Sequence, residues 1–134
     1  IEKEKPDGYL IETMTSLKEA KAATQAVRQV SRRPIFLCMS VGGQDFEPIR
    51  KAGADVIGFN CGTGPEEIYK LMKALIQIDS GPWCVRPSAG LPGKILSPKK
   101  FAAWGLKFKK LGCQWVGGCC GTTPEHILKL REFL

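Results

Sequence analysis

The chain has 134 residues, 43% hydrophobic and 25% charged, with a formal net charge of +7. That composition suits one ordinary globular domain, 1–134, and no apolar run approaches the roughly 18 residues a membrane helix needs. The opening Ile1-Glu2-Lys3-Glu4-Lys5-Pro6-Asp7 is charged, so no secretory signal is read there; with no initiating Met, the natural N-terminus is expected upstream.

The pattern alternates along the chain. Tyr9 to Thr13 reads as a short strand ending in Glu12-Thr13-Met14-Thr15, followed by a helix from about Ser16 to Val30 with alanines and a leucine on one side. Pro34 to Ser40 is a second strand, then a short helix from Phe46 to Ala52. Ala54 to Cys61 is a third strand with its helix from Pro65 to Ile78, and Trp83 to Gly90 a fourth, leading into a Gly/Pro loop around Leu91 to Pro98. A helix over Pro98–Leu111 follows, then a fifth strand over Cys113–Gly118 and a closing helix over Thr123–Phe133. In the helix at 98–111, Lys100, Lys107 and Lys110 approximate helical spacing around Phe101, Trp104 and Phe108, which reads as a solvated basic face. No nucleic-acid module is recognisable, and charge alone is no argument for one.

Near-continuous apolar strands alternating with helices argue for βαβ units and a parallel sheet. An open doubly wound sheet would fit the length but should carry a Gly-rich phosphate loop near its first strand. A closed (β/α)8 barrel needs roughly 250 residues, about twice this length. The expectation is therefore α/β, a partial (β/α)8 TIM barrel, representing its latter part.

Two corners repeat. Val56 to Ile68, VIGFNCGTGPEEI, and Trp115 to Ile127, WVGGCCGTTPEHI, share Cys-Gly-Thr-x-Pro-Glu-x-Ile, which aligns Cys61 with Cys120. Thr63 with Glu66 and Thr122 with Glu125 are spaced as capping boxes, each with a Pro in the first helical turn, and the glycine before each Thr lets the backbone turn over. Cys38, Cys84 and Cys113 lie in apolar surroundings, where a free Cys behaves as a small hydrophobe. Six cysteines in a secreted chain of this size would suggest disulfides, but this distribution fits reduced thiols in a cytoplasmic protein.

Cys61, Cys119 and Cys120 would all fall at the carboxyl ends of parallel strands, the face where α/β barrels carry their sites. Three thiolates there suit Zn²⁺, with a fourth position left open for a substrate thiol. Adjacent strand residues point to opposite faces, so Cys119 and Cys120 can share one metal only if the strand ends between them, which Gly121 permits. For the adjacent pair alone, plain burial or fortuitous adjacency is the better reading; the matching Cys61 corner reverses that in favour of a shared site. His126 is expected on the surface. Glu12 is either a solvated or ion-paired carboxylate or a grip for a substrate ammonium.

GGCCGTTPEHI resembles the signature of the homocysteine S-methyltransferase family, and GFNCGTGP and YLIETMTSLKEA occur in that family's order and approximate spacing. The resemblance covers almost the whole chain and implies strands four to eight, approximately, of the family barrel. It implies a zinc-dependent enzyme that makes methionine, in which homocysteine bound as a thiolate attacks a methyl donor: methylcobalamin, betaine, S-methylmethionine or S-adenosylmethionine. Cys61, Cys119 and Cys120 match the zinc ligands, and Glu12 matches the acidic residue that binds the amino acid's ammonium. Ser88, in Pro87-Ser88-Ala89-Gly90, stands where an Asn is common, keeping hydrogen-bonding ability with less reach toward substrate. The family's first strands are absent from this chain, and Met39 to Phe46 is shorter than the usual loop and helix. A partial barrel leaves strand edges and an apolar face that imply a homo-oligomer or a partner chain. The alternatives are a zinc-binding half-barrel without catalysis, acting as a subunit or binding module, and a purely structural fragment.

Overall fold

The computed structural model describes residues 2–40 and 45–134. After a 3₁₀ turn at Glu2–Glu4, the elements are β1 Tyr9–Met14, α1 Leu17–Val30, β2 Ile35–Met39, α2 Glu47–Ala52, β3 Val56–Asn60, α3 Pro65–Leu75 and β4 Trp83–Arg86. A small hairpin follows, β5 Gly90–Leu91 with β6 Lys94–Ile95, then α4 Pro98–Leu111, β7 Trp115–Val116 and α5 Pro124–Phe133.

Local chemistry explains the boundaries. The Ser16 hydroxyl accepts from Glu19 N–H at 3.4 Å to start α1, and the Ser97 hydroxyl does the same for Lys100 N–H at 3.4 Å to start α4. Pro98 fills the first turn of α4, and Gly112, at φ +110°, closes its end. Lys100, Lys107 and Lys110 are exposed, while Phe101 and Phe108 are buried. Lys107 Nζ lies 3.8 Å from the centre of the Trp104 ring, so this basic face is solvated and partly folded back on its own helix.

The main sheet has the order β1-β2-β3-β4-β7, every neighbouring pair parallel. The order never reverses, which excludes the doubly wound alternative. Registers run Ile11, Leu37, Ile57, Trp83 across one row and Met14, Met39, Phe59, Val85 across another. These residues pack with Ala20, Ile49, Ile68, Met72, Leu75 and Phe108 from the helices in one core. The alternate residues Cys38, Val56 and Cys84 form a separate cluster with Phe36 and no helix residue. The helices thus cover one face only, the arrangement of a (β/α)8 barrel segment.

Several expectations need correction. The Gly/Pro loop after β4 contains the β5–β6 hairpin, β4 stops at Arg86, and the last strand is two residues long, although Gly117 N–H still donates to the Val85 carbonyl at 2.9 Å. Helix α3 stops at Leu75. Neither Thr-led capping box forms as expected: α3 is preceded by Gly64 and α5 is capped by Thr123, one residue later than expected in each corner. In the first corner Cys61 and Gly62 both take left-handed φ values, +55° and +66°, and use up the residues that would have placed Thr63 at the cap; in the second, Thr122 N–H is spent closing a turn on the Cys119 carbonyl at 3.1 Å. The expected Met39–Phe46 segment falls partly on 41–44, outside the described residues.

Candidate metal centre

The first corner leaves β3 at Asn60. Cys61 keeps its N–H on the Arg86 carbonyl of β4 at 3.2 Å, while its left-handed backbone swings the side chain out of the strand direction. A Cβ on Gly62 would lie 2.1 Å from the Ser40 carbonyl oxygen, so no other residue fits.

The second corner leaves β7 at Val116, three residues before the first cysteine rather than between the two as expected. Cys119 N–H still reaches the Pro87 carbonyl at 3.0 Å. Cys119 to Thr122 then forms a turn closed by Thr122 N–H on the Cys119 carbonyl at 3.1 Å, with Gly121 at φ +73° in its third position. That is where a type II turn requires glycine. The turn, not a strand end, lets two adjacent thiols face the same point.

Sγ of Cys61 lies 3.1 Å from Sγ of Cys120, and all three sulfurs of Cys61, Cys119 and Cys120 are within 4.8 Å of one another. Zn–S bonds of about 2.3 Å in a tetrahedron place sulfurs about 3.8 Å apart, inside that range, so the donor set fits zinc in distance and softness. Among the described residues no other group of three or more His, Cys, Asp or Glu donors converges this closely. Hydrogen bonds from Cys120 and Cys119 hold the Cys61 thiol below its ordinary value, and bonding to Cys61 plus the charge of Cys119 pushes Cys120 up to about 11. The cluster therefore gives up its first proton readily and holds the next, as closely coupled thiols must.

Asn60, fully buried in an otherwise apolar strand, was not singled out by the sequence reading. Its Oδ1 accepts from Thr13 N–H at 2.8 Å; its Nδ2 donates to Thr13 Oγ1 at 2.8 Å and to Cys119 Sγ at 3.7 Å. Thr13 itself has φ +61° and lies where the β1–β2 register shifts. A lone amide in a buried strand was the available signal, since buried polar groups need partners.

Glu12, exposed on β1 next to Thr13, forms an ion pair with Arg86 of β4, Oε2 to Nη1 at 2.7 Å. The Ser88 hydroxyl donates to the Cys120 carbonyl at 3.0 Å and accepts from Gly90 N–H at 3.3 Å, so in this structure it braces the second corner. Its neighbour Ala89 donates to the same carbonyl at 2.7 Å. His126 is not on the surface: it is 4% exposed, because it faces back toward the start of its helix and against Phe101. Cys38, Cys84 and Cys113 are buried as expected, and burial pushes Cys113 up to about 12. Among the described residues no helix is long and apolar enough to cross a membrane.

A helix-backed parallel sheet with thiols gathered beyond its carboxyl edge defines a barrel-type protein with a metal-competent centre. The model of the family described as homocysteine S-methyltransferase matches residues 1–134, and the chain belongs to that family. Methionine synthase of Mycobacterium leprae (strain TN) is 34% identical over 145 residues, spanning 90% of this chain and 12% of that protein. S-methylmethionine–homocysteine S-methyltransferase BHMT2 of Mus musculus is 30% identical over 162 residues, spanning 96% of this chain and 44% of that one. Among solved structures, apo homocysteine methyltransferase MmuM of Escherichia coli superposes with a TM-score of 0.79 at 19% identity, covering 96% of this chain and 49% of that one. Its metallated form gives 0.73 at 21% identity, covering 94% and 44%. These superpositions establish the fold. The chain spans less than half the length of the two relatives compared by sequence.

Proposed function

We propose that this chain is the zinc-bearing part of a homocysteine S-methyltransferase, its main-sheet strands taking the places of strands four to eight of the family barrel. The observation that carries the reading is the convergence of the Cys61, Cys119 and Cys120 sulfurs within 4.8 Å beyond the strand ends. Zinc held by these three thiolates would lower the pKa of a substrate thiol enough to keep it ionised at neutral pH.

The chain's own residues do the rest. Glu12 offers its carboxylate to the substrate ammonium, with Arg86 at 2.7 Å fixing its position. The Asn60 side-chain Nδ2 supports the Cys119 sulfur, and Ser88 holds the turn through the Cys120 carbonyl and lies close enough to that corner to meet substrate. In the reaction the homocysteine sulfur, having lost its proton, forms a bond to the methyl carbon as the donor–methyl bond breaks, giving methionine. The donor is one of methylcobalamin, betaine, S-methylmethionine or S-adenosylmethionine. β1 and β7 are the edges of the main sheet and carry exposed Leu10 and Trp115, which supports completion by further strands, a second copy or a partner chain. Six reduced cysteines suit the cytoplasm.

A second reading is favoured by one observation: Glu12 is already paired with Arg86, so an incoming ammonium must compete with a guanidinium. On that reading the chain is a metal-binding module without catalysis. The test is zinc content on reduced, chelator-free protein, beside Cys120→Ser and Glu12→Gln. The proposal expects one zinc per chain in the parent, little in Cys120→Ser, and homocysteine binding by the parent that Glu12→Gln weakens. A parent without zinc refutes the metal centre; zinc without homocysteine binding selects the module.

A further inference from the structure

His126 joins the second cysteine corner to the β5–β6 hairpin. Its Nε2 lies 2.7 Å from the Leu96 carbonyl oxygen, and its Nδ1 lies 3.2 Å from the Thr123 amide nitrogen. A carbonyl oxygen can only accept, so Nε2 is assigned the ring proton and Nδ1 is the acceptor for Thr123 N–H. The ring packs edge-on against Phe101 with centroids 5.5 Å apart, which fixes its plane.

Following the bonds outward from Leu96 leads back to the thiols. Leu96 N–H donates to the Ala89 carbonyl at 2.8 Å, and Ala89 N–H donates to the Cys120 carbonyl at 2.7 Å. Cys120 lies inside the turn that Thr122 N–H closes on the Cys119 carbonyl at 3.1 Å, and Thr123, the next residue, returns to His126. We propose that His126 is a positioning residue for the metal centre: by tying the start of α5 to Leu96 it closes a ring of hydrogen bonds around the Cys119–Thr122 turn and fixes where those two sulfurs point. This rests on the metal-centre reading above.

A merely structural role, capping α5, makes a different claim, and two near-isosteric substitutions separate them. Gln and Glu are both standard residues at this third helical position, able to accept from the Thr123 amide. Gln also has N–H to donate toward Leu96; ionised Glu has none and faces the carbonyl with a second oxygen. Zinc affinity is read by competition with a chromogenic chelator on the full chain, together with the melting temperature of the zinc-free protein and the thiolate-to-metal band of the Co²⁺ form. The expected result is His126→Gln within about threefold of the parent and His126→Glu weaker by about 10- to 100-fold, the usual range for losing a group that orients a ligand. Melting temperatures of the zinc-free variants should match, and the Co²⁺ band should change only in His126→Glu.

Repeating the competition at 1 M salt, where charges act over only about 3 Å, removes the through-space effect of the new carboxylate. The loss must persist there; if it disappears, or if Gln and Glu bind alike, the positioning role is refuted. Should His126→Glu fail to fold, His126→Asn, whose shorter amide serves Thr123 but not Leu96, replaces it in the same comparison. Zinc bound normally by the parent with no Gln–Glu difference overturns only this inference, whereas no zinc in the parent overturns the metal centre beneath it.

Discussion

Replacing Asn60 by Leu is the sharpest test of how the strand ends are held. The two side chains have similar volume, so the change removes hydrogen bonds rather than opening a cavity. Two bonds of 2.8 Å to Thr13 are lost, each contributing about 1 kcal/mol. The contact to Cys119 sulfur, at 3.7 Å, adds little. The sum is about 2 kcal/mol, a sizeable share of the 5–15 kcal/mol by which domains are usually stable. Guanidinium unfolding of the zinc-free chain, followed by tryptophan fluorescence, to which buried Trp83 contributes beside Trp104 and Trp115, measures it directly. The mechanism also demands coupling. In a Thr13→Gly background the φ of +61° is unstrained, and the Asn60→Leu cost should shrink by about 1 kcal/mol. A cost below about 1 kcal/mol, or full additivity with Thr13→Gly, refutes the reasoning.

Two further outcomes follow from the same geometry. Gly58→Ala places a Cβ 1.6 Å from the Cys84 carbonyl oxygen, forcing β3 and β4 apart, and should destabilise by about 3 kcal/mol or more by chemical denaturation; a loss under about 1 kcal/mol would contradict the pairing. In metal-free, reduced protein Cys61 is held below and Cys120 above the ordinary thiol value, so thiolate at Cys61 forms first as pH rises. Limited iodoacetamide treatment at pH 7, mapped by mass spectrometry, should therefore label Cys61 before the more exposed Cys120; the reverse order would mean that access rather than charge governs the cluster.

Much of this architecture was legible because its signals are local and strong. Short apolar runs such as Ile35–Met39, set between Pro34 and the next helix, read as buried strands, and Ser97, Pro98 and Gly112 bracket α4 at the bounds the sequence indicated. The repeated Cys-Gly-Thr corner marked the thiol cluster because both corners follow parallel strands, β3 and β7, and so open at the same edge of the sheet. Other features depend on tertiary partners. Asn60 matters through Thr13, 47 positions away, and His126 is buried through Leu96, 30 positions away. No periodicity reports such pairings. The cap of α3 moved by one residue because Cys61 takes a backbone conformation that its residue type disfavours, a strain that the surrounding bonds maintain. The β5–β6 hairpin was hidden by its brevity, with Pro92-Gly93 as its only turn signal.

Cys61 and Cys120 stand 59 positions apart. A metal gripping both would act as a cross-link that closes a long segment of chain, and a closed segment of that length loses about 4 kcal/mol of unfolded-state entropy. Loading the ion would then add to the stability of the already folded chain, so chelation should loosen β4, α4 and the hairpin between the two corners as well as emptying the thiols.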